Sequence, residues 1–426
     1  MKQKVVASLV SAAMVATLFA GCGSSSTSTS TSAASSAAAS SAASSSSAAE
    51  ESTSSSAAEE TSSSSAATSA SSEAVESTSA SSSSSSSDSG WTNLDQFDGL
   101  KANDAYEFPV IVKSFQSTYW QAALQGMDQA AEELGVTYSA QGPASESDIA
   151  DQVNMLNSAI NGAPAGVGLA ACDTSSVLES LQAAADAGVP IVAFDTGIAD
   201  APEGSVVCTV VTDNTAAGEV AAVNLYEAVK DQLGNGTVRI GEINQDNYAL
   251  NIQQRGLGFI NKLIELAAAD GYTVAMEGNE FYVDGAEGAV EGDADIILEV
   301  RVPAQTTVDL CSTEAGTILD KEDTIAVFGS NQTAAEGLLV ANDNREVLGD
   351  TVVGVGFDAG TSIKAAVEDG TFLGAVTQSP LMMGYYCIYA LTAAANGEEL
   401  IDVPTDGYWY DASNMDDENI APNLYD

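Results

Sequence analysis

"VPIVAFDTG", Val189–Gly197, is a short apolar run that stops on an aspartate and turns away through small residues. The same order returns far downstream as "TVVGVGFDAG", Thr351–Gly360. A brief β-branched run closed by turn residues reads as a buried strand. In both stretches, Asp195 and Asp358, the first polar group stands where the strand ends. Working outward, strands are expected at Pro109–Ser114, Gly135–Gln141, Ala165–Ala170, Val189–Phe194 and Val206–Val211. Four more are expected at Thr237–Ile243, Thr324–Phe328, Thr351–Phe357 and Phe372–Thr377.

Amphipathic helical stretches lie between them. Ser117–Leu134 puts Ala123, Met127, Ala130 and Leu134 on one face, and Gly135 is placed to stop it. Ser147 is placed to cap Asp148–Asn161, and Thr174 or Ser175 to cap a helix ending before Gly188. Asn214–Leu233 and Asn251–Ala269 are two more. Strand–helix alternation implies parallel sheets with helices on both faces. In such sheets ligands bind beyond the carboxyl ends of the strands. The groups delivered there are Tyr119 and Trp120 in "PVIVKSFQSTYW", Asp195, Asn331 in "TIAVFGSNQ", Asp358, and Gln378 in "FLGAVTQSP".

Composition removes several function classes. The chain has 60 acidic and 12 basic residues and no histidine. So acidic a body repels phosphate backbones, which argues against nucleic acid as a partner. Without histidine there is no Ser-His-Asp catalysis and no His-ligated metal. Cys172, Cys208, Cys311 and Cys387 are far apart and fit no CxxC metal spacing; buried free thiols are the favoured reading and disulfides the alternative. No P-loop pattern is present, so the chain does not itself use ATP in that way. No calcium-loop pattern appears either.

The chain's beginning speaks to location. Met1–Lys4 is basic and Val5–Leu18 is apolar but shorter than the roughly 20 residues of a membrane span. Phe19-Ala20-Gly21 then leads into Cys22, which resembles the lipobox of bacterial lipoproteins. That resemblance implies a signal peptide over 1–21 and lipidation of Cys22, with two acyl chains giving stable anchoring. Residues 22–90 are nearly all Ser, Ala, Thr and Glu and cannot bury enough apolar surface to fold. They read as a disordered tether, roughly 50 Å from end to end by coil scaling. Such reach suits the outer face of a Gram-positive membrane.

The folded part resembles the type I periplasmic binding proteins of sugar ABC transporters, the ribose-like group. The likeness rests on "STYWQAALQGMDQAAEELG", "GVPIVAFDTG", "VVTDNTAAGEVAA", "RGLGF" at Arg255–Phe259, "FGSNQTAAEG", "VGVGFDAG" and "AVTQSP", in that order. It implies an α/β fold of two Rossmann-like lobes joined by a hinge. Lobe 1 would be 105–213 plus 379–403, and lobe 2 would be 214–377 plus 404–426. It implies a substrate-binding lipoprotein, not an enzyme, that captures a monosaccharide between the lobes and delivers it to a membrane permease. A monomer without cofactor or metal is expected. Tyr119, Trp120, Asp195, Arg255, Asn331, Asp358 and Gln378 match the ligand positions, the aromatics as a floor and the rest as hydroxyl partners. The chain departs from the family at Ser117-Thr118, Thr196 and Gln332. The stretch Met276–Val302 has no clear register, which leaves Phe281 and Tyr282 as candidates for the second lobe's aromatic. Two other readings use the same residues: an extracellular sugar sensor docking to a receptor or kinase ectodomain, and an enzyme with Asp195 and Asp358 as acid and base.

Overall fold

In the computed structural model, residues 90–425 are described. The signal segment 1–21, Cys22 and nearly all of the tether therefore lie outside the described residues. The chain first builds β1 (Glu107–Ile111), α1 (Thr118–Leu134), β2 (Thr137–Gln141), α2 (Ile149–Asn161), β3 (Val167–Leu169), α3 (Leu178–Ala187), β4 (Ile191–Phe194) and β5 (Val206–Thr212). It then crosses into α4 (Asn214–Val229), β6 (Val238–Ile243), α5 (Leu250–Ala269), β7 (Val274–Gly278), α6 (Glu280–Gly285), β8 (Ile296–Arg301) and α7 (Val308–Leu319). β9 (Thr324–Gly329), α8 (Gln332–Asn342), β10 (Val353–Phe357), α9 (Thr361–Glu368) and β11 (Gly374–Thr377) complete that run. The chain returns as α10 (Pro380–Asn396) and β12 (Val403–Thr405), then crosses once more into β13 (Tyr408–Tyr410).

Two sheets result, one per lobe. The first has the order β12-β5-β4-β3-β1-β2 and the second β13-β11-β10-β9-β6-β8-β7. All pairings are parallel except β13 with β11, as strand–helix alternation requires. Alternating side chains feed a core on each face. Phe108, Val110 and Val112 pack beneath α1 and α10, while neighbouring Ile111 joins Leu156, Leu169 and Leu181 on the other side. In the second lobe Phe259, Phe328 and Phe357 sit in one core and Ile318, Leu338 and Ile363 in the other.

All nine expected strands are in these sheets; β7, β8, β12 and β13 were not foreseen. The reason for the first two is topological. Aligning the sheets by strand order makes β8 the partner of β2, so β7 with α6 is an extra unit at the edge of the second lobe. The unplaced stretch Met276–Val302 is largely this insertion. The lobe limits also differ from those drawn from the sequence. Trp91 and Phe97, upstream of 105, are buried in the first core, and β12 keeps the chain in the first sheet through Thr405. Ser147 does not cap α2; its Oγ instead accepts a bond from the Thr306 backbone N–H at 2.8 Å, across the lobes. α3 begins at Leu178, after a turn in which Asp173 accepts from Ser176 N–H.

Cys172, Cys208, Cys311 and Cys387 are buried and free. Among the described residues, no helix is long and apolar enough to cross a membrane.

Candidate functional site

The three crossings between lobes are laced together. Asp213 N–H donates to the Thr405 carbonyl at 2.7 Å, and Thr212 Oγ1 donates to Gln378 Oε1 at 2.9 Å. Beside them lies a tight cavity, with about 340 Å³ of non-atom space when the solvent at its mouth is counted. Tyr119, Trp120, Asp195, Arg255, Asn331, Asp358 and Gln378 all line it. Residues far apart in the chain are thus brought to one space, most from a strand end or helix start and Arg255 from the second turn of α5.

The two aspartates hold equivalent places, after β4 and after β10. Each has a left-handed backbone, φ 62° at Asp195 and 71° at Asp358, a conformation rare outside glycine. Such strain persists where surrounding structure imposes it and clusters at functional sites. Asp195 is ion-paired to buried Lys113 at 2.9 Å and accepts from Tyr119 Oη at 2.6 Å and Thr196 Oγ1 at 2.8 Å. Burial works to raise its pKa, but Lys113 and these hydrogen bonds hold it below the usual carboxylate value. Asp358 accepts from Gln332 N–H at 2.9 Å and Gln378 Nε2 at 2.8 Å. Its pKa is raised by burial, against the pull of Arg255 and those two hydrogen bonds.

Arg255 is 1 % exposed, so it is a buried guanidinium and not part of a surface ion pair. Its guanidinium carbon Cζ sits over the Phe357 ring, 3.6 Å from the centroid. Its two terminal nitrogens donate to the Ser330 carbonyl at 2.8 Å and to Asn214 Oδ1, at the first crossing, at 2.6 Å. α5 can place it there because Gly218 on α4 has no side chain; a Cβ would stand 2.1 Å from the Arg255 carbonyl. Asn331 caps α8 through Ala334 N–H and donates its amide to Gln245. Tyr119 and Trp120 meet edge to face at 5.0 Å.

Two buried polar atoms of cavity residues, Arg255 Nε and Gln332 Oε1, have no hydrogen-bond partner among the described residues. Buried groups of this kind are normally satisfied by protein, water or ligand, so one donor and one acceptor here have room for a further partner.

Sequence reasoning missed several lining residues. Lys113 follows β1 and read only as part of a strand. Glu146 sits in the loop before α2, accepting from Trp120 Nε1 at 3.1 Å and from Gln245 Nε2 at 2.9 Å across the cleft. Asn251 accepts from Lys113 at 3.1 Å, and Ile252 supplies apolar lining from the second lobe. Phe281 and Tyr282 are not at the cavity. Tyr282 is buried in the second core with its hydroxyl on the Asp246 carbonyl at 3.0 Å, and Phe281 packs against that core. They belong to the extra unit, which sits at the far edge of the sheet. Among the described residues, no cluster of three or more carboxylate or cysteine side chains could hold a metal.

Comparison with known proteins gives this geometry a lineage. A family model described as a periplasmic binding protein domain matches residues 108–399. A search of curated proteins returned no match. Among solved structures, an ABC transporter, LacI family transcriptional regulator from Brachyspira murdochii is 29% identical with a TM-score of 0.62, over 75% of this chain and 99% of that one. A carbohydrate transporter solute binding protein from Agrobacterium radiobacter, in complex with D-arabinose, is 25% identical with a TM-score of 0.64, over 76% and 100%. An ABC transporter solute binding protein from Agrobacterium vitis with bound D-fucose is 26% identical, also at 0.64, over 75% and 100%. Two crossed lobes around a polar cavity, and a family match spanning both, lead to one conclusion: this chain belongs to the periplasmic binding protein domain family.

Proposed function

We propose that the chain captures a small neutral sugar between its lobes and presents the closed form to the permease of an ABC transporter. The observation that carries this is the cavity itself, where Tyr119, Trp120, Asp195, Arg255, Asn331, Asp358 and Gln378 converge from both lobes. Aromatic rings offer apolar faces to C–H surfaces, while carboxylates, amides and a guanidinium meet a rim of hydroxyls. Buried polar groups left unpaired without a ligand would reject analogues lacking those hydroxyls. Similar structures bound to D-arabinose and D-fucose support the same ligand class.

Closure follows from the site's two-sided construction. Lys113 to Asn251, Gln245 to Glu146 and Gln332 to Thr118 are hydrogen bonds across the lobes at 3.1, 2.9 and 3.1 Å. A ligand touching both lobes adds to them only when the lobes are shut, and so shifts the population toward the closed form. Gln378 and Arg255 each bond a residue at a crossing, which ties ligand contacts to the hinge.

The pairing of Asp195 with Lys113 supports a binding role over acid–base catalysis. The anchored location rests on Cys22 and the tether: a lipidated monomer on the outer face of a Gram-positive membrane. Isothermal titration against pentoses, hexoses and their common derivatives tests the central reading. Binding at micromolar Kd or tighter, about −8 kcal/mol, is expected; silence across the panel overturns it.

A further inference from the structure

The inner cavity is not the whole of the cleft. A second chamber, about 700 Å³ counting the solvent at its mouth, adjoins it. Ser117, Glu146 and Thr333 line both, so the two spaces abut at those three side chains. The outer chamber is walled by Gln116 from the first lobe and by Thr307, Asp309 and Glu336 from the second. It therefore lies along the same seam between lobes as the inner cavity and would be shaped by the same closure.

Its chemistry is that of a hydroxyl-binding surface. Val308 is its one apolar lining residue, and no lysine or arginine reaches it. At that boundary, the Ser117 and Thr333 hydroxyls take no hydrogen bond from any described residue, and neither does the Asp309 carboxylate. These two free hydroxyls and the free Asp309 carboxylate match the donor and acceptor rim of a sugar, while Glu146 and Glu336 already accept from protein donors. Three carboxylates with no cation disfavour an anionic group, since like charges brought together oppose binding.

The geometry points to a second subsite: the ligand is a neutral disaccharide or glycoside, with one ring in the inner cavity and a second hydroxylated unit passing that boundary into the outer chamber. The inference rests on the sugar-binding reading and specifies the ligand class. Sugar phosphates and uronates are excluded from the outer position.

The test is calorimetric titration of the full chain with D-arabinose, D-fucose, D-galactose and D-glucose. Each is paired with its methyl glycosides and with disaccharides that carry it at the non-reducing end. At least one glycoside or disaccharide is expected to bind roughly tenfold or more tightly than its parent sugar. In Val308→Trp, which fills the outer chamber, that ratio collapses toward one. In Asp309→Lys the ratio for a disaccharide bearing a uronate outer unit rises. If parent sugars bind and every extended ligand binds equally or more weakly, the second subsite is overturned while sugar binding stands. If no sugar of either kind binds, both fall. If an extended ligand wins but neither variant changes its ratio, the placement in this chamber is overturned.

Discussion

Asp195 and Asp358 occupy matching places in two lobes of matching design, yet their surroundings differ. Both end a central parallel strand, both carry the left-handed backbone, and both are buried. Asp195 has a full set of partners within the protein: Lys113, Tyr119, Thr196 and, at 3.3 Å, Asn251 from the other lobe. Asp358 has an amide and a backbone N–H, with Arg255 acting through its charge from above Phe357. The same backbone device thus serves one carboxylate held by a lysine and three further donors and one held by fewer, with the Tyr425 hydroxyl also close to it. On the function proposed above, Asp195 organises the cavity and Asp358 meets the ligand.

The largest effect should come from breaking the satisfied member. Asp195→Ala leaves the Lys113 ammonium buried and unpaired, which costs about 3–5 kcal/mol. Urea unfolding is the measurement, and adding Lys113→Met should restore much of the loss. An Asp195→Ala variant as stable as the parent would remove the distinction between the two aspartates. The sign of the pH dependence follows from the lowered pKa of Asp195 in the fold. Its contribution is present above the unfolded value near 3.9 and is lost as pH falls through the folded one.

Asp358→Asn sharpens the other half. Ligand affinity should fall by roughly 10- to 100-fold in titration, because an accepting carboxylate becomes a weaker partner. Stability near neutral pH should not fall. Burial raises the pKa of Asp358, so its contribution is complete below about pH 3.9 and is lost as pH rises through the folded pKa. The amide removes that loss. An Asp358→Asn variant that unfolds easily and binds normally would reverse the assignment.

Asp246 extends the contrast to the seam itself. It sits in the second lobe, close enough to Lys113 and Glu146 of the first to feel their charges, and burial pushes its pKa up to about 6. Stability should therefore decline as pH rises between about 4 and 6, and Asp246→Asn should flatten that decline by on the order of 2 kcal/mol. Unfolding at pH 4.5 and pH 7 checks it; parallel slopes in parent and variant would rule out the coupling.

The smallest effect concerns the unit that only the second lobe has. Phe281→Ala should change ligand affinity less than about twofold, since Phe281 packs on the core away from the cavity, while costing about 1–2 kcal/mol of stability. A large loss of affinity would mean that this edge communicates with the cleft.

How much of this was legible differs from element to element. "VPIVAFDTG" and "TVVGVGFDAG" disclosed both strands and both aspartates because strand, turn and polar terminus are consecutive in the chain. The order of motifs led likewise to Arg255, Asn331 and Gln378. Met276–Val302 was opaque because an inserted strand at the sheet edge breaks the correspondence between lobes. Glu146 and Asn251 were invisible because nothing near them in the chain marks them as polar partners.

By itself, then, the sequence determined the strand–helix alternation of parallel sheets, the polar groups at the strand ends and the acidic body without histidine. These follow from local periodicity and composition, which need no knowledge of contacts. Only the tertiary structure decided that Lys113 belongs to Asp195, that Arg255 lies over Phe357 facing the cavity, and that a second chamber abuts the first at Ser117 and Thr333. Those outcomes depend on which distant segments are brought together when the lobes close, and on the burial that makes each pairing matter.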